Sequence, residues 1–446
     1  MGLLLIGIGL LLLCRQLVNE YDNFTMGFSG VGGWSVILYL LATFLVMTQP
    51  VDRYTFPLIL AVGVVCRLAV LYGEPYMSSD IYRYVWDGIV QHAHISPYRY
   101  VPGDTALSFL REPNQEIFDN INRRDYARTI YPPAAQLVFY LITYLSPTML
   151  FMKTAMVLFE GLTVLGIVRV LKRCGERREM VLLYAWCPLI VWEIAGSGHL
   201  DSVAMAYIAL ALLFRHRDRH VLTGLFLGLA IMTKLYPAVL LPALYRRGDW
   251  KMPAMVAGVV AAGYAAYSSV GLREFGFLGG YVQEEGLASG TRYFLLETVR
   301  RFPGLRSLPM WMFLAFVAVI FLALSFWAWA TCCRRDSEQG SFLVVSFSFA
   351  TALMLLFSPH YAWYIAWLVP FLAIQPNLPI MAYVAGFFYL FTTALAEPGE
   401  KMFILNEILY GLVVAACVVQ LFLMRWPLHR KAWSAWAPLS EGEKTT

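Results

Sequence analysis

The sequence predicts an all-α polytopic membrane protein, and three observations predict it. Hydrophobic residues make up 59% of the 446 and charged residues only 14%, where a soluble domain carries roughly 25% charged residues. Mean hydropathy is +0.61. Apolar stretches approaching the roughly 20 residues that a bilayer-crossing helix needs recur from one end of the chain to the other. So few charges cannot cover a globular surface of this size, which argues against a soluble enzyme. The net charge of +5 is no nucleic-acid signature either, because the basic residues sit mostly in short loops, where they set orientation in a membrane. No nucleic-acid partner is expected; membrane lipids are the surroundings.

Taken in order, apolar runs cover 2–18, 31–49, 55–73, 149–171, 180–196, 200–214, 252–270, 311–331, 341–358, 361–374, 378–396 and 402–424. The first has the look of a secretion signal but lacks a basic flank and a small-residue cleavage site, so it reads as a short first span. A further pair, 221–233 and 236–245, is interrupted at Thr233, Lys234 and Pro237, and reads as a hairpin of two half-length or tilted helices. The total is about 12–14 transmembrane helices in a single domain, 1–446. Cys66, Cys187 and Cys417 fall inside apolar runs, Cys332 and Cys333 end one, and no CxxC spacing occurs; they read as buried thiols rather than disulfides or metal ligands.

Charge assigns the sides. Short basic loops carry Lys172, Arg173, Arg177 and Arg178, then Arg215, Arg217 and Arg219, then Arg246, Arg247 and Lys251, then Arg334 and Arg335, and the tail opens with Arg425, Arg430 and Lys431. If all are cytoplasmic the spans alternate without conflict. The loop 19–30, with Glu20 and Asp22 and no basic residue, then lies outside, as do two long polar segments, 74–132 and 271–310. Counting 133–146 as a span would reverse everything downstream, so it reads as a non-spanning helix at the outer interface, opened by Pro132 and Pro133.

The first external loop contains SSDIYRYVWDGIVQHAHISPYRYVPGD. Asp80, Arg83 and Asp87 are spaced three and four apart and share a helix face. Such a face can abstract a proton; the same spacing equally makes a salt-bridge face on a solvated helix. Tyr82, Tyr84 and Trp86 suit a membrane interface or the face of a sugar. Lys234, at the hairpin break, points toward the outer half of the membrane, where an ionisable group is functional by default unless it snorkels from a helix end. His360 opens the SPHYAW segment at the outer end of a span, as a functional group or as a hydrogen-bonded interfacial histidine. His199 and Asp201 occupy a tight outer turn, GSGHLD; they either bind an acceptor or a cation, or cap the following helix.

The run SSDIYRYVWDG, followed by ISPYRYVP and TIYPPAAQLV, resembles the first external loop of GT-C superfamily glycosyltransferases, closest to the bacterial branch of polyprenol-phosphate-mannose-dependent mannosyltransferases. GSGHLDS at 196–202, GLAIMTKLYP at 228–237 and SPHYAWYIAWLVP at 358–370 extend the resemblance over most of 55–370. It is specific in the first loop and pattern-like in the last third. The resemblance implies a GT-C-like bundle with juxtamembrane helices in a catalytic external loop 74–132. It implies an inverting transfer of a sugar, mannose by default, from a polyprenyl-phosphate donor to a lipid or glycan acceptor. The site would face the periplasm or exterior of an inner membrane. By position Asp80 matches the general base, with Asp87 as a second candidate. The leaving phosphate needs positive charge. Lys234, Arg128, Arg292 and His360 are its candidate ligands, His360 matching a histidine of the related mannosyltransferases. Arg83, Tyr84, Trp86, Tyr131, His199 and Asp201 are assigned to the donor and acceptor cavity, and Lys234 and His360 are expected to converge there with Asp80. The acidic residues lack the spacing of a cation motif, so no metal or other cofactor is expected. Two other classes stay open. A transporter or flippase of lipid-linked sugars would show an internal repeat with midplane ionisable residues on broken helices; the sequence has one broken pair, 221–245, without a second copy in the other half, and its charged cluster lies in the outer loop. A polysaccharide polymerase or ligase of the envelope would use late-loop arginines, of which 271–310 has five.

Overall fold

A computed structural model describes residues 1–19, 24–75, 78–332, 340–393 and 400–425. Glu20, Asp22, Cys333, Arg334, Arg335, Arg430 and Lys431 lie outside the described residues. Within them the chain is all-helical, without a strand. The main helices are α1 (Gly2–Asn19), α2 (Phe24–Thr48), α3 (Thr55–Leu71), α4 (Asp80–His92), α5 (Pro133–Leu145), α6 (Met149–Arg173), α7 (Asp201–His216), α8 (His220–Ile231), α9 (Lys251–Ala265), α10 (Met310–Thr331), α11 (Ser341–Phe357), α12 (Leu378–Thr393) and α13 (Glu400–Arg425). Four helices (Gly30–Thr48, Met149–Arg173, Met310–Thr331 and Glu400–Leu423) are long and apolar enough to cross a membrane, and two bent pairs pass the same test together. Seven shorter apolar helices of 10–17 residues accompany them. Helix α10 shows what solvent the fold is built for. It is apolar all round, yet Trp311, Phe316, Val319, Leu322, Phe326 and Trp329 are each more than half exposed. In water that surface would be an aggregation site; in lipid it is a normal exterior. The chain is a multi-pass membrane protein.

Two expected spans differ in the structure. The run 180–196 is not one helix: Arg178–Ala185 and Pro188–Gly196 meet at 58°, with Pro188 opening the second piece, where its ring and missing N–H break the first. The run 252–270 ends early: α9 stops at Ala265 and the chain turns by 111° into 268–284. Ser268 and a Gly271 with φ of 58° mark the exit, and Tyr267 donates from its hydroxyl to Gln91 Oε1 (2.8 Å) in the first long loop. Helix α5, 13 residues long, is too short to cross a bilayer at 1.5 Å per residue. It buries Ala135, Gln136, Phe139 and Ile142 and exposes Leu137, Leu141 and Tyr144.

Charge is sorted along the bundle. Helix α7 runs from Asp201, which meets Lys234 at the hairpin break, to His216 in a basic cluster. There Arg215 and Arg246 both pair with Asp218, and Arg173, Arg217 and Arg219 line one shallow pocket. The three described basic loops therefore gather at one end. The hairpin break lies at the other, where Met232 O accepts from Ala134 N (3.0 Å) at the start of α5. Neither end could be inferred to be this coherent from loop counts alone.

One ion pair ties the middle together. Arg67 of α3 forks onto Glu160 of α6 through Nε and Nη2 (3.0 and 2.7 Å), and its Nη1 donates to Gly63 O and Ala185 O (2.9 and 2.8 Å). The pair is almost fully buried, so each charge depends on the other for its solvation. Removing one partner, as in Glu160→Leu or Arg67→Met, is expected to destabilise the protein by about 3–5 kcal/mol, and removing both together to recover most of that. Thermal unfolding in detergent of the singles and the double checks this; purely additive losses would refute it.

Candidate active site

The site is built on the first turn of α4. Asp80 opens the helix, its N–H donating to Ser78 Oγ (3.1 Å), and a carboxylate there is favoured by the helix dipole. The helix is fixed from three sides. Arg83 Nε donates to Asp87 Oδ1 (2.7 Å) and Nη1 to Ala127 O (3.1 Å), while Gln136 Nε2 of α5 donates to Asp87 Oδ2 (2.9 Å). Gly88 lets α5 approach: a Cβ there would sit 2.2 Å from Thr143 Oγ1. Gly198, in the GSGHLD turn, has φ of +77° and would meet Ile81 Cδ1 at 2.4 Å if it carried a Cβ, so any side chain there would strain the backbone and displace Ile81.

Asp80 faces a cavity of about 320 Å³. Its lining combines the polar side chains of Asp80, Arg83, Asn122, Arg123, Arg128 and Glu285 with the aromatic ones of Tyr131, Phe277, Tyr281, Tyr361, Trp363 and Tyr364. Both long loops contribute. Phe277 N donates to Thr129 O (3.2 Å), and Arg123 pairs with Glu284 (2.7 Å) while holding a left-handed φ of 55°, a conformation that costs energy for a residue with a Cβ and clusters at functional sites. Asn122 Nδ2 donates to Asp80 Oδ1 (2.8 Å). Among the described residues no cation lies within ion-pair distance of Asp80.

The residues singled out in the sequence are distributed unevenly. Asp80, Arg83, Arg128 and Tyr131 line the cavity. Asp87 does not: it is 1% exposed and occupied by Arg83 and Gln136, so it supports the wall rather than facing it. Tyr84 is buried between Phe139, on which it stacks at 4.7 Å, and Tyr131, whose ring it meets edge-on at 5.0 Å. Trp86 is buried against Phe118. Arg128 Nε donates to the backbone oxygen of Arg99 (3.3 Å) rather than to a carboxylate. Arg292 is buried and ion-paired with Glu285; burial pulls its pKa below the ordinary guanidinium range. Lys234 pairs with Asp201 Oδ2 (3.1 Å) and lies 5.3 Å from the centre of the Tyr364 ring. Asp201 also accepts from the Tyr236 hydroxyl (3.2 Å). It sits in the first turn of α7, but its oxygens serve Lys234 and Tyr236. His199 meets Glu193 at 3.3 Å and stacks on Trp363.

His360 differs from its sequence reading. Burial, and next the nearby Arg292 charge, push its imidazole down to about 3. It is therefore neutral at ordinary pH and supplies a hydrogen bond or an acceptor, not a positive charge. Asn122, Arg123, Tyr281, Glu285, Tyr361 and Trp363 were not singled out by sequence reasoning. The aromatic run after His360 carried the only signal for two of them.

The sequence profile of glycosyltransferase family 87 matches residues 129–359. This covers Tyr131, His199, Lys234, Glu285 and Arg292 but not Asp80. GPI mannosyltransferase 1 of Eremothecium gossypii is 24% identical over 241 residues, 50% of this chain and 60% of its own length. That of Kluyveromyces lactis is 34% identical over 90 residues, 20% of this chain and 22% of its own, and that of Saccharomyces cerevisiae is 30% identical over 90 residues, with the same shares. The chain thus spans from about a fifth to three-fifths of these relatives, which are fungal proteins. No solved structure matches.

The His360 geometry makes a pH prediction. Between its folded value near 3 and an ordinary histidine value of about 6.5, the unfolded chain binds a proton that the folded chain does not. Stability contributed by neutral His360 is thus present above that window and lost as pH falls through it. His360→Gln should lose less thermal stability than the wild type between pH 7 and pH 4.5; equal losses would show that His360 titrates normally.

Proposed function

From the premise that this chain belongs to glycosyltransferase family 87, we propose that it moves a hexose from a polyprenyl-phosphate donor to an acceptor hydroxyl in this cavity, inverting the anomeric carbon. Mannose is the default sugar, supported by the likeness to proteins named GPI mannosyltransferase 1. The observation that carries the reading is that, of the two carboxylates lining the cavity, Glu285 is paired with Arg292 while Asp80 has no cation partner among the described residues.

The chemistry follows from that carboxylate. An acceptor hydroxyl is a poor nucleophile until its proton has somewhere to go. Asp80, with Asn122 fixing one oxygen, accepts that proton as the hydroxyl oxygen bonds to the anomeric carbon. On the opposite face of the sugar the bond from carbon to phosphate oxygen breaks, and the electron pair leaves with the phosphate. Phosphate is a good leaving group and needs no protein acid; it needs fixed positive charge where its own charge grows, in a setting poorly screened by water. Arg128, which donates to the Arg99 backbone oxygen rather than to a carboxylate, supplies that charge directly. This reading gives the counter-charge to arginine rather than to a divalent cation. One attacking base and one leaving group also mean that a single carboxylate suffices, unlike the paired acids of glycoside hydrolases.

The basic loops at the far end of α7 support a cavity that opens on the non-cytoplasmic side, since short basic loops favour the cytoplasm. In a cell with an envelope that side is the periplasm, reached from the inner membrane. The acceptor class, lipid or glycan, is left to the same cavity and its mouth.

Asp80→Asn should lower transfer by about 10²–10⁴-fold while donor affinity stays within a few-fold of wild type, since it removes the base without removing volume. Asp87→Asn should instead lower the yield and thermal stability of folded protein, with turnover per folded molecule less affected than in Asp80→Asn. Turnover assays with binding measured in parallel check both. An inactive Asp87→Asn beside a nearly active Asp80→Asn would move the base to Asp87.

A further inference from the structure

The aromatic lining of the cavity is layered. Tyr361 lies parallel to Trp363, with ring centroids 4.6 Å apart and 9° between planes, and Trp363 lies on His199 at 4.3 Å and 19°. Behind them the Glu193 carboxylate meets His199 Nε2 at 3.3 Å, both side chains being buried. Trp363 is therefore covered on its two faces and 8% exposed, whereas Tyr361, the outermost ring, is 37% exposed and lines the cavity. Three stacked rings with a buried carboxylate at the back make a rigid support, so the outer ring presents a fixed apolar face at little entropic cost.

The same cavity is lined by Asp80, Asn122, Arg123 and Arg128. A ligand filling the space has to be apolar on one flat side and rich in hydrogen-bonding groups at its edge. An isoprenoid chain is apolar throughout and a phosphate is polar throughout. A pyranose ring fits, because its axial C–H bonds gather on one face while its hydroxyls point outward. Resting on the reading of this cavity as a glycosyl-transfer site, we propose that Tyr361, backed by Trp363 and His199, is the platform on which the apolar face of the transferred hexopyranose lies. The contact is through the ring and not through the phenol hydroxyl.

The test compares affinities for two lipids of equal charge, a short-chain polyprenyl-phosphate mannose and the matching polyprenyl methyl phosphate, which lacks the sugar. Their ratio isolates the sugar's contribution, and binding of the sugar-free lipid reports that each variant is folded. Wild-type protein should prefer the sugar-bearing lipid. Tyr361→Ala should shrink that preference by roughly twofold to tenfold, and Tyr361→Phe should keep it. An unchanged preference in Tyr361→Ala, an equal loss in Tyr361→Phe, or no preference in the wild type overturns the platform. Failure of the transfer reading would show differently: the preference and its loss in Tyr361→Ala would be observed, while wild-type protein released no polyprenyl phosphate from the donor.

Discussion

Helix α4 has no business being buried on its sequence: Asp80, Arg83, Asp87, Gln91 and His92 give it charges and amides that prefer water. What holds it inside is the Arg83–Asp87 pair and the donors around it. Arg83 closes on Asp87 four residues along and on Ala127 O, and Gln136 closes the carboxylate from α5. Burying a charge without such partners costs several kcal/mol, and burying it with them is close to neutral. With α4 locked in this way its first residue, Asp80, has a fixed position at the cavity rim. The GSGHLD turn can then press on Ile81 through Gly198, and the two long loops can close over the same point. Take the pair away and the base, the turn and the loops lose their common reference.

The rest of the charge is arranged along one axis. At the cavity end cations outnumber free carboxylates: Glu285 is matched by Arg292, Glu284 by Arg123, and Asp201 by Lys234, leaving Asp80 as the wall carboxylate without a cation among the described residues. At the far end of α7 the basic loops gather around Asp218. The proposed transfer from a lipid phosphate needs this asymmetry, with one base on the acceptor side and positive charge on the leaving side. The polar lining supplies both within one cavity of about 320 Å³.

Much of the fold was legible because lipid imposes a simple rule on sequence: an apolar run must be a helix, and a short basic loop must lie on one side. Thus α6, α10 and α13 are close to the runs that predict them. The broken segment at Pro188 and the bend after Ala265 were not legible, since both runs remain apolar through the break. At the site, Asp80 and Lys234 were visible as charges out of place. Asp87 was equally visible, and only the packing of Gln136 and Arg83 against it shows that it is spoken for. His360 could be seen as a histidine near a membrane surface, but its charge state depends on burial and on Arg292, which lies 68 positions earlier in the chain. Glu285, Tyr361 and Trp363 are ordinary residues in sequence; they become a wall only when 271–310 and 358–370 fold onto the first loop.

The central claim is that this cavity breaks the bond between a sugar and a lipid phosphate. The direct measurement supplies purified protein with synthetic polyprenyl-phosphate sugars and, separately, with nucleotide sugars, and detects the released carrier. The account predicts release of polyprenyl phosphate from a polyprenyl-phosphate hexose and none of nucleotide from the nucleotide sugars. Release from nucleotide sugars, or passage of intact lipid-linked sugar across a bilayer with no release at all, would contradict it.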